Sequence, residues 1–301
     1  MTHSSAITDG ASPAPIREQA RAKVNLTLHV LGKRPDGYHE LDSLVVFADL
    51  CDELSFTPAR EDRLSLEGPF GAAIDGENLI FKAKRAVSGW LGREIHGDFR
   101  LNKNIPVAAG VGGGSSDAAA AIRILLRAYA GKAATESFIE RAAAVGADVP
   151  VCLYNRAAWM RGLGERVTPA PGVAPLPAIL VNPRIKVSTA EVFKRLNAAP
   201  CRPDEAPSSP LSGADFSSPE KAAAALQHGR NDLEPPAVAI EPAVERTLGA
   251  IRRQEGCLLA RLSGSGPTCF GLFPTQDIAR KAADALGREH PGWWVAAVTL
   301  S

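Results

Sequence analysis

Gly110-Val111-Gly112-Gly113-Gly114-Ser115-Ser116-Asp117 runs directly into an alanine-, isoleucine- and leucine-rich stretch, Ala118 to Ala130. Glycines let a backbone approach an anion closely and turn its N–H groups inward. A helix N-terminus adds unpaired donors and the positive end of a dipole. Four glycines within five positions exceed what a tight turn needs. The order strand, glycine loop, strong helix former therefore predicts a phosphate site. Ser115 and Ser116 can cap the helix, donate to phosphate or support a metal. The loop is not of the Walker type, because no Lys-Ser or Lys-Thr follows the last glycine. It is not a dinucleotide fingerprint either, since the glycine spacing and the acidic residue on the next strand are missing.

Working outward, Ala20 to Leu31 alternates like a strand through Val24, Leu26, Leu28 and Val30. Leu41 to Phe47, Glu53 to Thr57 and Phe99 to Asn102 read as further strands, with Asp36-Gly37 as a turn. Asn78 to Leu91 and Thr135 to Val145 have helical spacing, and Gly146 to Pro150 breaks the second helix. In the C-terminal half, Ala157 to Arg161 and Ala178 to Val181 read as strands. Ser188 with Glu191 forms a capping box that opens a helix through Leu196. Helices over Pro219 to Gln227 and Pro242 to Gln254 follow. Leu258 to Leu262, a Ser-Gly-Ser-Gly turn and Cys269 to Phe273 then read as strand, loop, strand. A helix over Asp277 to Leu286 and a strand over Trp293 to Leu300 close the chain. Strands and helices mix without strict alternation, so the fold class is α+β.

A length of 301 residues suits two packed domains. The expected division is a disordered leader over 1–16, an N-terminal domain over 17–160 and a C-terminal domain over 161–301. The last carries a Pro/Ser-rich loop or insert over 198–219. Net charge is +1, which speaks against a general nucleic-acid binder. No apolar run reaches the length of a membrane span, and the N-terminus lacks the pattern of a secretory signal. The five cysteines form no CxxC pair and match no zinc spacing, which leaves a reducing, cytoplasmic setting as the expectation.

Three segments together resemble the GHMP kinases, the family of galactokinase, homoserine kinase, mevalonate kinase and phosphomevalonate kinase. They are Ala22-Lys23-Val24-Asn25-Leu26, Pro106 to Asp117, and Leu262-Ser263-Gly264-Ser265-Gly266-Pro267-Thr268, in the expected order. The resemblance runs from about Arg17 to the C-terminus. It implies a two-domain fold, with an N-terminal domain like ribosomal protein S5 and a C-terminal α/β sandwich. Arg34-Pro35-Asp36-Gly37-Tyr38-His39, Gly146-Ala147-Asp148-Val149-Pro150 and Asn231-Asp232-Leu233-Glu234 point to one branch of that family. Its substrate is a small molecule carrying a cytidine diphosphate group on an erythritol, within the non-mevalonate route to isoprenoid precursors. The alternatives are another family kinase, of mevalonate or homoserine type, and a nucleotide-binding sensor without catalysis. This sequence departs from the usual family loop. Ala108 and Ala109 stand where glycine is common, Val111 where leucine is, and Asp117 where asparagine is.

The resemblance assigns roles that the residues alone leave open. Asp148 reads locally as an N-cap for a helix at Val149; by resemblance it is the catalytic base, paired with Lys23. A cation there favours a developing alkoxide. Asn25, on the same side of the strand as Lys23, would hydrogen-bond the acceptor. Tyr38 would stack on cytosine, His39 would bond its polar edge, and Phe193 would face the ring's other side. Pro106, Val107, Ala108, Ala109, Gly110, Val111, Gly112, Gly113, Gly114, Ser115 and Ser116 would hold ATP, with Asn78 and Lys103 near adenine and ribose. Ser263 to Gly266 would wall the site from the C-terminal domain. ATP is the expected co-substrate, with Mg²⁺ held by phosphates and water rather than by a protein cage. No nucleic acid or membrane partner is expected, and a monomer or weak homodimer suffices.

Overall fold

The computed structural model describes residues 14–73, 78–131, 134–201, 211 and 213–301. The long strand β3 (His39–Pro58) is the axis of the N-terminal half. It pairs antiparallel with β1 (Ile16–Asn25), β2 (His29–Lys33), β5 (Gly97–Asn102) and β6 (Ala158–Gly162). β4 (Arg63–Glu67) adds to β5 in parallel, and β7 (Arg166–Pro169) adds to β6. The helices α1 (Leu79–Leu91), α2 (Gly113–Tyr129), α3 (Ala134–Ala142) and α4 (Val149–Tyr154) pack on this sheet. Their shared core includes Phe47, Phe56, Phe99, Ile122 and Leu125, all fully buried. Fully burying side chains of this size stabilises by about 1.5–3 kcal/mol each.

The C-terminal half is built on β8 (Leu176–Asn182), flanked by β11 (Trp294–Leu300) and β10 (Cys269–Leu272), with β9 (Leu259–Leu262) outside β10. Around it lie α5 (Thr189–Leu196), α6 (Pro219–Leu226), α7 (Glu234–Ile240), α8 (Ala243–Arg252) and α9 (Gln276–Glu289). The two sheets join where Leu300 of β11 pairs with Ala48 of β3. Ser301 and Phe47 exchange both backbone hydrogen bonds there. A second core, including Val24, Leu26, Ile105, Val111, Leu180 and Phe270, fills the space between the halves.

Two strand expectations change. Ala20 to Leu31 is not one strand: β1 ends at Asn25 and β2 starts at His29. Between them Leu28 donates its N–H to the Arg230 carbonyl and leaves the ladder. Leu41 to Phe47 and Glu53 to Thr57 are one strand rather than two. The Arg21 guanidinium reaches across to the carbonyls of Ala48 (2.8 Å) and Phe47 (2.9 Å) and carries β3 through its irregular middle. The expected insert over 198–219 opens as a bridge: Cys201 donates to the Lys33 carbonyl. Residues 202–210 and 212 lie outside the described residues, as do 1–13 of the expected leader. All five cysteines are free thiols. Among the described residues no helix is long and apolar enough to cross a membrane.

Candidate active site

A cleft of about 1190 Å³ opens where the glycine loop meets the C-terminal half. Lys23, Asn25, Gly110, Gly112, Ser115 and Asp148 line one end, Tyr38, His39 and Phe193 the other, with Gly264 and Ser265 contributed by the C-terminal half. Residues 125 positions apart in the chain meet here: the Lys23 ammonium lies 2.8 Å from Asp148 Oδ2. Lys23 is 4% exposed, whereas the Asp148 side chain is 35% exposed. Both expected catalytic residues are thus at one point, with the carboxylate reachable from solvent.

Each reaches that point by an irregularity. The β1–β3 register shifts between Arg21 and Lys23, and Lys23 donates its N–H to the Val111 carbonyl at 2.8 Å. The strand is thereby tied to the phosphate loop. Asp148 does occupy the N-cap position of α4, with Pro150 in the first turn, but its side chain makes no capping bond. The carboxylate goes to Lys23 instead.

The loop glycines have separate tasks. Gly112, the N-cap of α2, has φ +66°, and a Cβ there would lie 3.2 Å from the Lys23 side chain. Gly110 has φ +76°, and a Cβ there would lie 2.1 Å from the Gly266 carbonyl oxygen. A side chain at Gly113 would meet the Lys103 ammonium at 3.1 Å, whereas one at Gly114 would find only Leu79 at 3.8 Å. Ala108 also has positive φ, +56°, so an alanine holds a left-handed conformation that favours glycine.

Several expected nucleotide contacts fall elsewhere. The Ser116 hydroxyl donates to the Arg21 carbonyl at 2.7 Å and its N–H to Gly112, so the residue locks α2 to β1 rather than facing a phosphate. Ala109 and Val111 turn into the core between the halves, and their carbonyls are already bonded, to Thr268 and Lys23 respectively. Only their N–H groups remain for a ligand. Pro106 is buried, while Val107 and Ala108 are exposed. The Asn78 side chain caps α1 by accepting from Ile80 at 2.9 Å.

Lys103 does not reach outward for a ribose. Its ammonium is 3% exposed and bonds Asp52 at 2.5 Å and Asp117 at 2.6 Å. Asp52 also accepts from the N–H groups of Asn104 and Ile105, pinning the chain just before the loop. Burial pushes the Asp117 carboxyl up to about 7, Lys103 pulls it down, and the Asp52 charge adds to the rise. Burial pulls Lys103 down, but Asp117 and Asp52 more than reverse this and hold it above its ordinary value. Cys152, beside Ser116, is buried and pushed up to about 12, so it is no nucleophile.

At the other end, His39 and Phe193 stack with centroids 4.7 Å apart, and Tyr38 is 64% exposed. Burial and the Lys33 ammonium hold His39 below its usual value, so it is a neutral ring at pH 7. Phe193 packs both on His39 and on the C-terminal core. Lys33 and Lys194 also line the cleft, and nothing in their sequence surroundings marks them. The C-terminal loop is held by Asn231, which donates to the carbonyls of Leu262 (2.9 Å) and Gly264 (2.7 Å). Ser265 hydrogen-bonds Thr189 of α5 at 2.7 Å.

Residues 78–156 match the family described as GHMP kinases N terminal domain, and 211–292 that described as GHMP kinases C terminal. The loop, the Lys23–Asp148 pair and the two joined halves accordingly define an ATP-dependent small-molecule kinase of the GHMP type. A relative from Rhodopseudomonas palustris, named 4-diphosphocytidyl-2-C-methyl-D-erythritol kinase, is 47% identical over 98% of this chain and 100% of its own. One of the same name from Cereibacter sphaeroides is 49% identical over 92% of this chain and 96% of its own. A crystal structure of 4-(cytidine 5'-diphospho)-2C-methyl-D-erythritol kinase superposes with a TM-score of 0.75 at 35% identity, over 95% of this chain and 99% of that one. The chain belongs to the 4-diphosphocytidyl-2-C-methyl-D-erythritol kinase family.

Proposed function

We propose that this chain transfers the γ-phosphoryl group of ATP to the 2-hydroxyl of 4-diphosphocytidyl-2-C-methyl-D-erythritol, in the non-mevalonate route to isoprenoid precursors. The observation that carries this is the Lys23–Asp148 pair at 2.8 Å, set at the phosphate loop in the cleft that continues to Tyr38, His39 and Phe193. The acceptor oxygen bonds to the γ-phosphorus as the bond from that phosphorus to the β–γ bridging oxygen breaks, and ADP leaves. Asp148 takes the hydroxyl proton; one of its oxygens is held by Lys23, and the other has no protein partner among the described residues. Lys23 stabilises charge on the reacting oxygens. The N-terminus of α2 and the N–H groups of the loop receive the phosphates. Neutral His39 bonds the polar edge of cytosine, and Tyr38 and Phe193 supply apolar ring faces for the base.

Mg²⁺ would enter with ATP and neutralise phosphate charge. The described residues contain no cluster of three acidic, His or Cys ligands. The hydroxyl of Ser115, which lines the cleft in the first turn of α2, fits an ion whose other ligands are phosphate and water. The free thiols fit a cytoplasmic setting, and nothing in the catalytic arrangement calls for a second subunit.

The test is phosphoryl transfer to the cytidyl substrate, mevalonate and homoserine side by side. Transfer to the cytidyl substrate alone is expected; turnover only of mevalonate or homoserine overturns the substrate. In Asp148→Ala, kcat should fall by about 10²–10⁴ while ATP binding, followed by calorimetry, persists. A wild type that binds ATP and phosphorylates none of the three would be a sensor.

A further inference from the structure

Asn25 is 1% exposed and lines the cleft two residues from Lys23, yet its Oδ1 has no hydrogen-bond partner. The amide orientation is not free. Ser43 Oγ lies 2.5 Å from the Thr27 carbonyl oxygen, which has no proton to give, so the single Ser43 proton points there. Ser43 Oγ can then only accept, and what it accepts, at 2.8 Å, is Asn25 Nδ2. Turning the amide over would set two acceptors face to face. Thr27 is itself fixed, since its hydroxyl accepts from the N–H of Leu44. The Asn25 backbone N–H donates to the Ser263 hydroxyl. Thr27, Ser43 and Ser263 are fully buried, so water does not scramble the relay.

The relay leaves Oδ1 as an acceptor beside Gly264, where a side chain's Cβ would lie 3.4 Å away and where glycine instead leaves room. A buried acceptor without a donor costs about 1–3 kcal/mol, recovered only when a donor arrives. We propose that Ser43 is a positioning residue that locks the Asn25 amide so that its oxygen accepts from a hydroxyl of the phosphoryl acceptor, beside the one that is phosphorylated. The site then selects for a hydroxyl at that place and against a carbonyl, ether or carboxylate. This rests on the functional reading above and adds to it a device for telling one polyol portion from another.

The experiment compares wild type and Ser43→Ala on the cytidyl substrate and on analogues that each lack one hydroxyl of the erythritol portion other than the 2-hydroxyl that is phosphorylated. Wild type should lose roughly 30-fold or more in kcat/KM on one of the analogues. Ser43→Ala should raise KM for the intact substrate about tenfold, leave KM for ATP within about twofold, and discriminate that analogue by less than about threefold. The loss of discrimination is what a merely structural serine would not produce. Unchanged discrimination in a folded Ser43→Ala, or no analogue costing wild type more than about threefold, overturns the proposal. The second criterion needs only wild type, so it stands even where the variant does not fold. A wild type inert toward the cytidyl substrate removes the functional reading and this proposal together, whereas an active wild type indifferent to every hydroxyl but the phosphorylated one removes this proposal alone.

Discussion

Alanine at Gly110 should separate the two glycine loops. The Cβ would lie 2.1 Å from the Gly266 oxygen and 2.6 Å from its carbonyl carbon, and both are backbone atoms that cannot swing aside. An ordinary contact needs more than 3 Å, so the loops must part by about 1 Å. Alanine would also keep φ at +76°, costing about 1–2 kcal/mol, and the forced repacking adds about 1–3 kcal/mol. Gly114 in the same loop is the internal control. Its nearest neighbour would be Leu79 at 3.8 Å, ordinary contact, and it lies in the first turn of α2, where alanine gains up to about 1 kcal/mol. Urea unfolding of both variants, with ATP binding by calorimetry, separates the cases. Gly110→Ala should lose stability by about 2–5 kcal/mol and weaken ATP at least about tenfold, while Gly114→Ala stays as stable as wild type or gains. If Gly110→Ala unfolds at the wild-type urea midpoint, the close approach of the loops does not hold them as argued. A stable Gly114→Ala that no longer binds ATP would assign that glycine to the approach of phosphate itself.

Two further outcomes follow from the same loop. Ala108→Gly removes a left-handed alanine at φ +56°, so it should stabilise by up to about 1 kcal/mol, read as a higher urea midpoint; a lower midpoint would contradict the strain. Asp117 has a folded value of about 7 against an ordinary carboxylate near 4. The folded chain therefore holds a proton that the unfolded chain releases, and this contribution is full below about pH 4 and lost as pH rises to about 7. Asp117→Asn should flatten the fall in stability between about pH 4 and 7, by at most about 1.4 kcal/mol per pH unit; parallel slopes in urea titrations would refute it.

What was legible in the sequence was chemistry that acts locally. The Ser188 cap is one case: its hydroxyl accepts from the N–H of Glu191, and α5 runs to Leu196 as the pattern predicts. Asn78 at the start of α1 is another. What escaped depends on partners far along the chain. The middle of β3 has no alternation, and Arg21 supplies its bonds from another strand. The helix α7 was hidden by Pro235 and Pro236, which sit in its first turn where no N–H is required. Lys103 carries no local sign that Asp52, 51 residues away, and Asp117 will enclose it, so its resemblance to a ribose contact misdirects. Ser43 lies in an apolar strand and has a role only because Thr27 and Asn25 lie beside it.

Four residues that break local rules line one cleft. Lys23 gives its N–H to a loop rather than to its partner strand. Asp148 occupies a cap position without capping. Gly112 starts a helix from a left-handed conformation with no side-chain cap. Asn25 keeps a buried oxygen unpaired. Any one of these costs stability, whereas Ser188, Ser218 and Thr275 cap their helices with a side-chain bond. Four such departures along one cleft fit groups held ready for a ligand rather than for the fold. The glycine loop on its own implies only an anion. The unformed cap at Asp148 and the displaced N–H of Lys23 set a carboxylate and an ammonium 2.8 Å apart beside that anion site, which is the arrangement the proposed proton transfer requires.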